Sequence, residues 1–370
     1  MIQYPDYSNC LVNFSNSLLS YYGAKTHHPS LPAADKLLGK RPDHVVVIVL
    51  DGLGVSVLER YLPEDNFLRR HLVTGFSSVF PPTTTAALTS IESGLEPIEH
   101  GWLGWSLYFP QEDKVINAFY NTLKDTDIQA VPYHAAQKHF DYKSIFSQID
   151  KTNSASVNRI YPFGKKAFPV LDNWINEIER IVRDEKNRSF TLAYWGDPDY
   201  SLHQYGSQNE KVRFLVKELD EKIETLCSKL KDTLVFITAD HGHTDIENSL
   251  LSNYPDLTSM LIRPCALEAR SVSFFIKDGC LEAFKEMFLS LFGKDFILMT
   301  KEEVLEKKLF GTAHLDTSTL QKYSASIGDF LAVAVTNKAL LWSDKSNQFK
   351  SHHAGITKEE MIIPLIAIET

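Results

Sequence analysis

Long apolar runs are missing from this chain. The longest are Val45–Leu50 and, with a proline inside it, Met361–Ile368, far short of the roughly 20 residues a helix needs to cross a bilayer. The first ten residues, MIQYPDYSNC, lack the basic and apolar stretches of a secretion signal, so neither a membrane protein nor an exported one is expected. Cysteine is scarce: Cys10, Cys227, Cys265 and Cys280 are scattered and form no CxxC pair. That excludes a disulfide framework and a thiolate zinc site, and the expected setting is a reducing cytoplasm. Positive charge is also in short supply, with 38 Lys and Arg against 47 Asp and Glu. A surface of that balance disfavours duplex nucleic acid as a partner.

What the chain does have is core material: 44% of its residues are hydrophobic and 23% charged, the proportions of an ordinary folded protein. Its 370 residues fit two or three domain-sized units, or one large α/β domain with an insertion. Three apolar runs read as strands buried on both faces, because their hydrophobicity is continuous rather than alternating. They are Val45–Leu50, ending at Asp51; Phe190–Trp195, followed by Asp197-Pro-Asp199; and Leu234–Ala239, ending at Asp240-His241-Gly242. Amphipathic helical patterns lie between them, over 169–187 and 209–232. Strands alternating with helices indicate a parallel α/β sheet, whose functional groups collect at the strands' carboxyl ends. Residues 250–349 read differently, as a cap or insertion. Within it, Asp329 to Trp342 looks like a hairpin around a polar turn. The final run, Met361 to Glu369, reads as a strand returning to the main sheet, with Pro364 implying an edge or a bulge.

Several short stretches carry the residue types that chemistry requires. Phe80 to Gly94 reads as a loop turning into a helix, with Thr83 as N-cap, Gly94 as stop and Thr84 in the first turn. Backbone N–H groups and the helix dipole favour an anion there, although three threonines can equally serve as caps alone. In Asp197-Pro-Asp-Tyr-Ser-Leu-His203, Pro198 suits the first helical position and Asp197 the cap. Asp199 and His203 then share a face at i and i+4, as two ligands of one metal would. Asp240 and His241 offer a carboxylate and an imidazole at a strand end, with His243 either a supporting or a surface residue. Asp51 is a further carboxylate, or a helix cap, and His352-His353 adds imidazoles near the C-terminus. Together these supply what two metals and a hydroxyl nucleophile need.

At this point the sequence resembles the type I phosphodiesterase/nucleotide pyrophosphatase family of the alkaline phosphatase superfamily. The stretches that carry the resemblance are VVVIVLDGLG, SVFPPTTTAALTSIESGLEPIEHG, DPDYSLHQYG, FITADHGHTD and HHAGITKEEMIIPL, in this order from residue 45 to 364. It implies an alkaline-phosphatase-like α/β core, with a mostly parallel central sheet flanked by helices, over 1–249 and 350–370, and a smaller α+β insertion over 250–349. It further implies two divalent ions, zinc with manganese or iron as alternatives. Asp51, Asp240 and His241 would hold one ion, with Thr84 reaching it as nucleophile. Asp199, His203 and His353 would hold the other. Asp199 is preferred to Asp197 because the family spaces its aspartate and histidine by four, and His353 to His352 because of its distance from Met361.

The activity implied is hydrolysis of a small phosphate ester, a phosphodiester or nucleotide pyrophosphate, through a phospho-threonine. The nucleotide-cleaving members carry an asparagine shortly after the HG pair; here His100-Gly101 is followed by Trp102-Leu-Gly-Trp105, which speaks against pyrophosphatase activity. Trp102, Trp105 and Tyr108 are expected either to wall a substrate pocket or to pack against the insertion. The competing readings are a phosphomonoesterase on the same core and a non-catalytic binding protein of the same fold.

Overall fold

The β-branched run after His44 forms strand β1 (His44–Leu50), buried at every position but the first. Side chains of a strand alternate between faces, so complete burial means that both faces are covered. The computed structural model describes residues 1–164 and 167–370. Among these, a six-stranded sheet contains β1 with β2 (Leu72–Ser77), β3 (Ser156–Ile160), β4 (Ser189–Trp195), β5 (Thr233–Thr238) and β6 (Ile362–Glu369), in the order β2-β6-β5-β1-β4-β3. β1 runs parallel to β4 and β5, one on each side, and β3 runs parallel to β4. β6 is antiparallel to both its neighbours. It is therefore a mixed, mostly parallel α/β sheet. No helix of the described residues is long and apolar enough to cross a membrane.

Pro364 sits inside β6, opposite Gly75 of β2. Up to Ile366 the strand pairs with β2, from Ile366 onward with β5, and the register shifts between Leu365 and Ile366. The proline thus lies where the strand has one partner and needs no second ladder bond.

The helices that matter for the site are α1 (Leu11–Tyr21), α2 (Thr84–Ser93), α3 (Leu171–Asp184), α4 (Asp199–Tyr205) and α5 (Glu210–Lys229). α2 ends at Gly94 in the left-handed region, φ +75°, where glycine has no Cβ penalty. Buried polar bonds from α1 hold it in place: Asn16 Nδ2 donates to Gly94 O at 2.8 Å and Ser15 Oγ to Ile91 O at 3.0 Å.

A second, antiparallel sheet of seven strands orders Phe296–Thr300, Phe330–Ala334, Ser271–Phe274, Ala266–Leu267, Ser106–Phe109, Lys114–Asn117 and Thr122–Leu123. The 250–349 segment supplies the first four and residues 106–123 the rest. The hairpin expected around Asn337 does not form. Phe330–Ala334 is already flanked by Ser271–Phe274 and Phe296–Thr300, so neither edge is free. Lys338–Leu341 instead runs parallel to Glu247–Leu250.

One buried ion pair joins this sheet to the segment before β6. Arg270, fully buried, donates from Nε and Nη2 to Glu360 at 2.7 and 2.8 Å, and to the carbonyls of Lys338 and Thr336. Glu360 also accepts from Gly355 N and Thr357 Oγ1, both at 2.7 Å. Burial alone would raise the Glu360 carboxyl, but Arg270 holds it below the usual range. Removing one member of such a pair strands the other. Arg270→Ala is expected to lower stability by about 3–5 kcal/mol in urea unfolding; a loss below about 1 kcal/mol would contradict this role.

Candidate metal centre

Because β1 lies between β4 and β5, the loops leaving these three strands converge. Asp51 follows β1, Asp199 opens α4 four residues after β4, and Asp240 comes two residues after β5. Backbone bonds fix their spacing: Asp51 N donates to Trp195 O and Asp199 N to Asp51 O, each at 2.9 Å. Gly52 N donates to Asp240 Oδ1 at 3.1 Å. Gly52 has φ +74°, and a Cβ there would lie 3.0 Å from Asp199 Cα and 2.9 Å from His243 Cδ2. Glycine is what lets the loops approach so closely.

The first group is Asp51, Asp240, His241 and Thr84. His241 Nε2 lies 3.3 Å from Asp51 Oδ1 and 3.5 Å from Asp240 Oδ2. Thr84 Oγ1 is 3.3 Å from the same nitrogen and 3.4 Å from Asp51 Oδ2. His241 Nδ1 faces Gly242 O at 3.1 Å, so Nδ1 carries the proton and Nε2 presents a lone pair. Tyr194 OH donates to Asp51 Oδ2. Asp51 Oδ1 and Asp240 Oδ2 are buried with no hydrogen-bond partner. Burial, with Asp240 and Asp199 nearby, pushes the Asp51 carboxyl well above its ordinary value. Unpartnered carboxylate oxygens facing an imidazole lone pair form a donor set that a divalent cation fits. Thr83 is the N-cap of α2 by position, but its hydroxyl makes no cap bond and donates instead to Glu268 Oε1 at 2.7 Å. Asp51 caps no helix either, since the next one starts at Val55 behind Gly54.

The second group gathers on Asp199. His203 Nε2 lies 3.3 Å and His353 Nε2 3.7 Å from Asp199 Oδ1. His203 Nδ1 donates to Ser351 O at 2.8 Å and His353 Nδ1 to Pro82 O at 3.1 Å, leaving both Nε2 atoms as lone-pair donors. His243, left open by the sequence, is buried with Nε2 2.5 Å from Asp199 Oδ1. Burial would raise the Asp199 carboxyl, but His203 and His243 hold it well below the usual range; burial, then His241, keeps His353 neutral. Asp197 stands apart, accepting from Ser201 N and Oγ; the helix starts one residue later than expected, with Pro198 at the cap position. His352 Nδ1 accepts from His353 N at 2.9 Å, so a neutral His352 carries its proton on Nε2 and has no lone pair to offer. His241 and His353 stack at 3.7 Å, and Asp199 is within reach of both groups.

The three aromatic residues have separate fates. Trp102 is buried in the second core, its indole N–H donating to Phe140 O at 3.0 Å. Tyr108 donates to Asp113 and lies under the Arg263 guanidinium. Trp105 is 37% exposed, edge-on to Phe119 and Tyr120, and its backbone N–H donates at 2.7 Å to the same Glu268 oxygen that Thr83 uses. Sequence reasoning missed Glu268, Tyr194 and Ser351. The signal for Tyr194 was a hydroxyl one residue before the carboxyl end of a buried strand; Glu268 and Ser351 gave none. A third carboxylate–imidazole cluster, His28 with Glu96 and Glu99, is structural, since Glu96 accepts from Thr312 N, Thr312 Oγ1 and Ala313 N.

With this geometry established, the chain can be compared with known proteins. The profile of the family Type I phosphodiesterase / nucleotide pyrophosphatase matches residues 45–271. The Bis(5'-adenosyl)-triphosphatase ENPP4 of Homo sapiens is 26% identical over 238 residues, covering 57% of this chain and 50% of that protein. Ectonucleotide pyrophosphatase/phosphodiesterase family member 7 of Rattus norvegicus is 25% identical over 235 residues, covering 54% and 48%. The alignment thus spans about half the length of these curated relatives. Among solved structures, human ectonucleotide pyrophosphatase / phosphodiesterase 5 superposes with TM-score 0.67 at 18% identity, covering 88% of this chain and 87% of that one. An inactive threonine-to-alanine variant of the murine protein, in complex with AMP, gives 0.65 at 18%, covering 88% and 87%. Phosphonoacetate hydrolase from Sinorhizobium meliloti 1021, with phosphonoformate, gives 0.61 at 16%, covering 88% and 90%. At these identities the superpositions establish the alkaline-phosphatase-like fold.

The raised Asp51 carboxyl has a consequence for stability. Its contribution is complete below the ordinary carboxylate range and is lost as pH rises through the raised value. Chelated protein should therefore lose Tm with rising pH in that window, and Asp51→Asn should remove this component, raising Tm at pH 8 by about 2–4 °C. The same variant should lose the Tm gain that added Zn2+ gives the unsubstituted protein. Thermal unfolding with and without chelator checks both; a chelated Asp51→Asn protein that unfolds earlier at pH 8 would contradict the account.

Proposed function

We propose that this chain, which belongs to the type I phosphodiesterase/nucleotide pyrophosphatase family, hydrolyses small phosphodiesters, nucleotide-like ones among them, through a covalent intermediate on Thr84. Asp51, Asp240 and His241 would hold one divalent ion and Asp199, His203 and His353 the other, with zinc the first choice for such imidazole–carboxylate sets. The observation that carries this reading is the placement of Thr84 Oγ1 3.3–3.4 Å from His241 and Asp51, beside two buried carboxylate oxygens that lack any partner.

Bound divalent ions would supply Lewis acidity, lowering the pKa of the hydroxyl and offsetting phosphoryl charge. The protein's own part is positional. α2 presents Thr84 at its first turn, where N–H groups have no partner within the helix and can stabilise the equatorial phosphoryl oxygens. Thr84 Oγ1 attacks phosphorus in line as its proton passes to solvent, and the bond to the leaving oxygen breaks, that oxygen leaving as the anion or taking up a proton from water. Water then attacks the phospho-threonine, the P–Oγ1 bond breaks and the hydroxyl is restored.

Glu268 supports a diester rather than a monoester. Its carboxyl, 2.7 Å from Thr83 Oγ1 and raised by burial against the bonds from Thr83 and Trp105, lies beside the nucleophile's turn, where the extra negative charge of a monoester would be a less welcome neighbour than a diester. The half-exposed Trp105, with Phe119 and Tyr120, offers rings against which a base or aryl leaving group can lie.

With zinc or manganese loaded, a bis-aryl phosphate diester should be hydrolysed at least about tenfold faster than the matching monoester. Thr84→Ala should lower kcat by about a thousandfold or more while keeping both metals. A monoester preference would overturn the substrate class. Full turnover by metal-replete Thr84→Ala would overturn the mechanism.

A further inference from the structure

We propose that Glu268 is a positioning residue for phosphoryl transfer: by holding the Thr83 hydroxyl, it keeps the first-turn N–H groups of α2 open for the phosphoryl oxygens. The inference rests on the Thr84 reading above and deepens it. Its starting point is a cap bond that is not made. Thr83 stands at the N-cap position of α2 in the extended conformation usual there, φ −144° and ψ 147°. From that conformation a threonine oxygen ordinarily accepts from the second or third helical N–H. Here the hydroxyl donates to Glu268 Oε1 at 2.7 Å instead. The N–H groups of Thr84, Thr85 and Ala86 consequently have no hydrogen-bond partner among the described residues.

The same Glu268 oxygen accepts from Trp105 N, also at 2.7 Å. One atom thus fixes both the turn that carries the nucleophile and the residue whose ring is offered to the leaving group. Oε1 accepts equally well as a carboxylate oxygen or as the carbonyl oxygen of the acid, so the two bonds do not depend on its charge. Without them the Thr83 hydroxyl can turn inward and cap α2. Its oxygen would then take one of the open N–H groups and set a lone pair against the incoming phosphoryl oxygens. The helix would gain and the reaction would lose.

The second sheet is shaped to deliver this oxygen. Glu268 is 7% exposed, in the link between Ala266–Leu267 and Ser271–Phe274, and its N–H donates to Ser271 O at 3.0 Å. Leu267, just before it, is held at φ +64°, a costly conformation for a bulky residue, and pairs with both Ser106 and Val272. From the other side Gly104 packs so closely that a Cβ there would lie 3.2 Å from Leu267 Cα. A side chain at 104 would press Glu268 and Trp105 apart.

The test uses the full zinc-loaded chain, a bis-aryl phosphate diester as substrate and orthovanadate as a phosphoryl mimic. Glu268→Ala is expected to keep both metals, to lower kcat at least about tenfold and to weaken vanadate inhibition by a similar factor. Adding Thr83→Val, nearly isosteric but with no hydroxyl to turn inward, should recover most of that loss, whereas a merely structural role predicts that the two substitutions add. Glu268→Gln, whose amide oxygen accepts both bonds, should rescue turnover to within about threefold, and it serves if the alanine variant does not fold. Full turnover and vanadate binding in Glu268→Ala, a loss undiminished in the double variant, or an equal loss in folded Glu268→Gln would overturn the proposal while leaving the Thr84 reading standing. Diester hydrolysis undiminished in Thr84→Ala, or absent from the unsubstituted two-metal protein, would overturn that reading, and this proposal with it.

Discussion

Three carboxylates that repel one another are confined at the ends of three adjacent parallel strands. Asp51 and Asp240 are buried and Asp199 nearly so, and two of their oxygens have no hydrogen-bond partner. In a medium of low effective dielectric such a cluster is costly without a counter-charge. The rest of the centre is built on this confinement. Gly52 permits the approach, while backbone bonds from Asp51 to Trp195 and from Asp199 to Asp51 fix the spacing. His203, His241 and His353 each spend Nδ1 on a carbonyl and turn Nε2 toward the acids. Cations are the component that reconciles these groups, which is why the geometry reads as a metal centre rather than as a hydrogen-bonded acid–base site.

The second sheet completes the arrangement from outside the main one. Arg270 and Glu360 tie it to the segment that carries His353, and Ser271 Oγ donates to Ala354 O. Ala354 is held at φ +83° and Leu267, next to Glu268, at φ +64°, conformations that non-glycine residues adopt only under constraint from their surroundings. Both therefore mark places where the second sheet imposes the backbone that delivers a site residue. The centre depends on packing between parts of the chain more than 80 residues apart.

Much of this was legible in the amino-acid sequence, for identifiable reasons. Continuous β-branched runs ending in aspartate announce buried parallel strands, and Gly94 stops a helix by well-understood left-handed capping, although Thr83, at the opposite end, holds the cap position without making the cap bond. The i, i+4 pair Asp199 and His203 is local, so its shared face follows from helical geometry alone. The structure brings Asp51, Thr84, Asp199, His203, Asp240, His241 and His353 together. What stayed hidden depends on tertiary contacts. Lys338–Leu341 pairs with a strand some 90 residues away, and local pattern suggested a hairpin. The engagement of Trp102 and Tyr108 with Phe140 and Asp113, like the turn of His243 toward Asp199, is set by neighbours that no spacing rule encodes.

The central claim is that these donors hold two divalent ions side by side, and anomalous X-ray scattering at the zinc edge from zinc-loaded crystals tests it most directly. The account predicts two peaks per chain, one bounded by Asp51, Asp240, His241 and Thr84, the other by Asp199, His203 and His353. A zinc-loaded crystal with no peak among these residues, or with one ion displaced onto the His28–Glu96–Glu99 cluster, would contradict it.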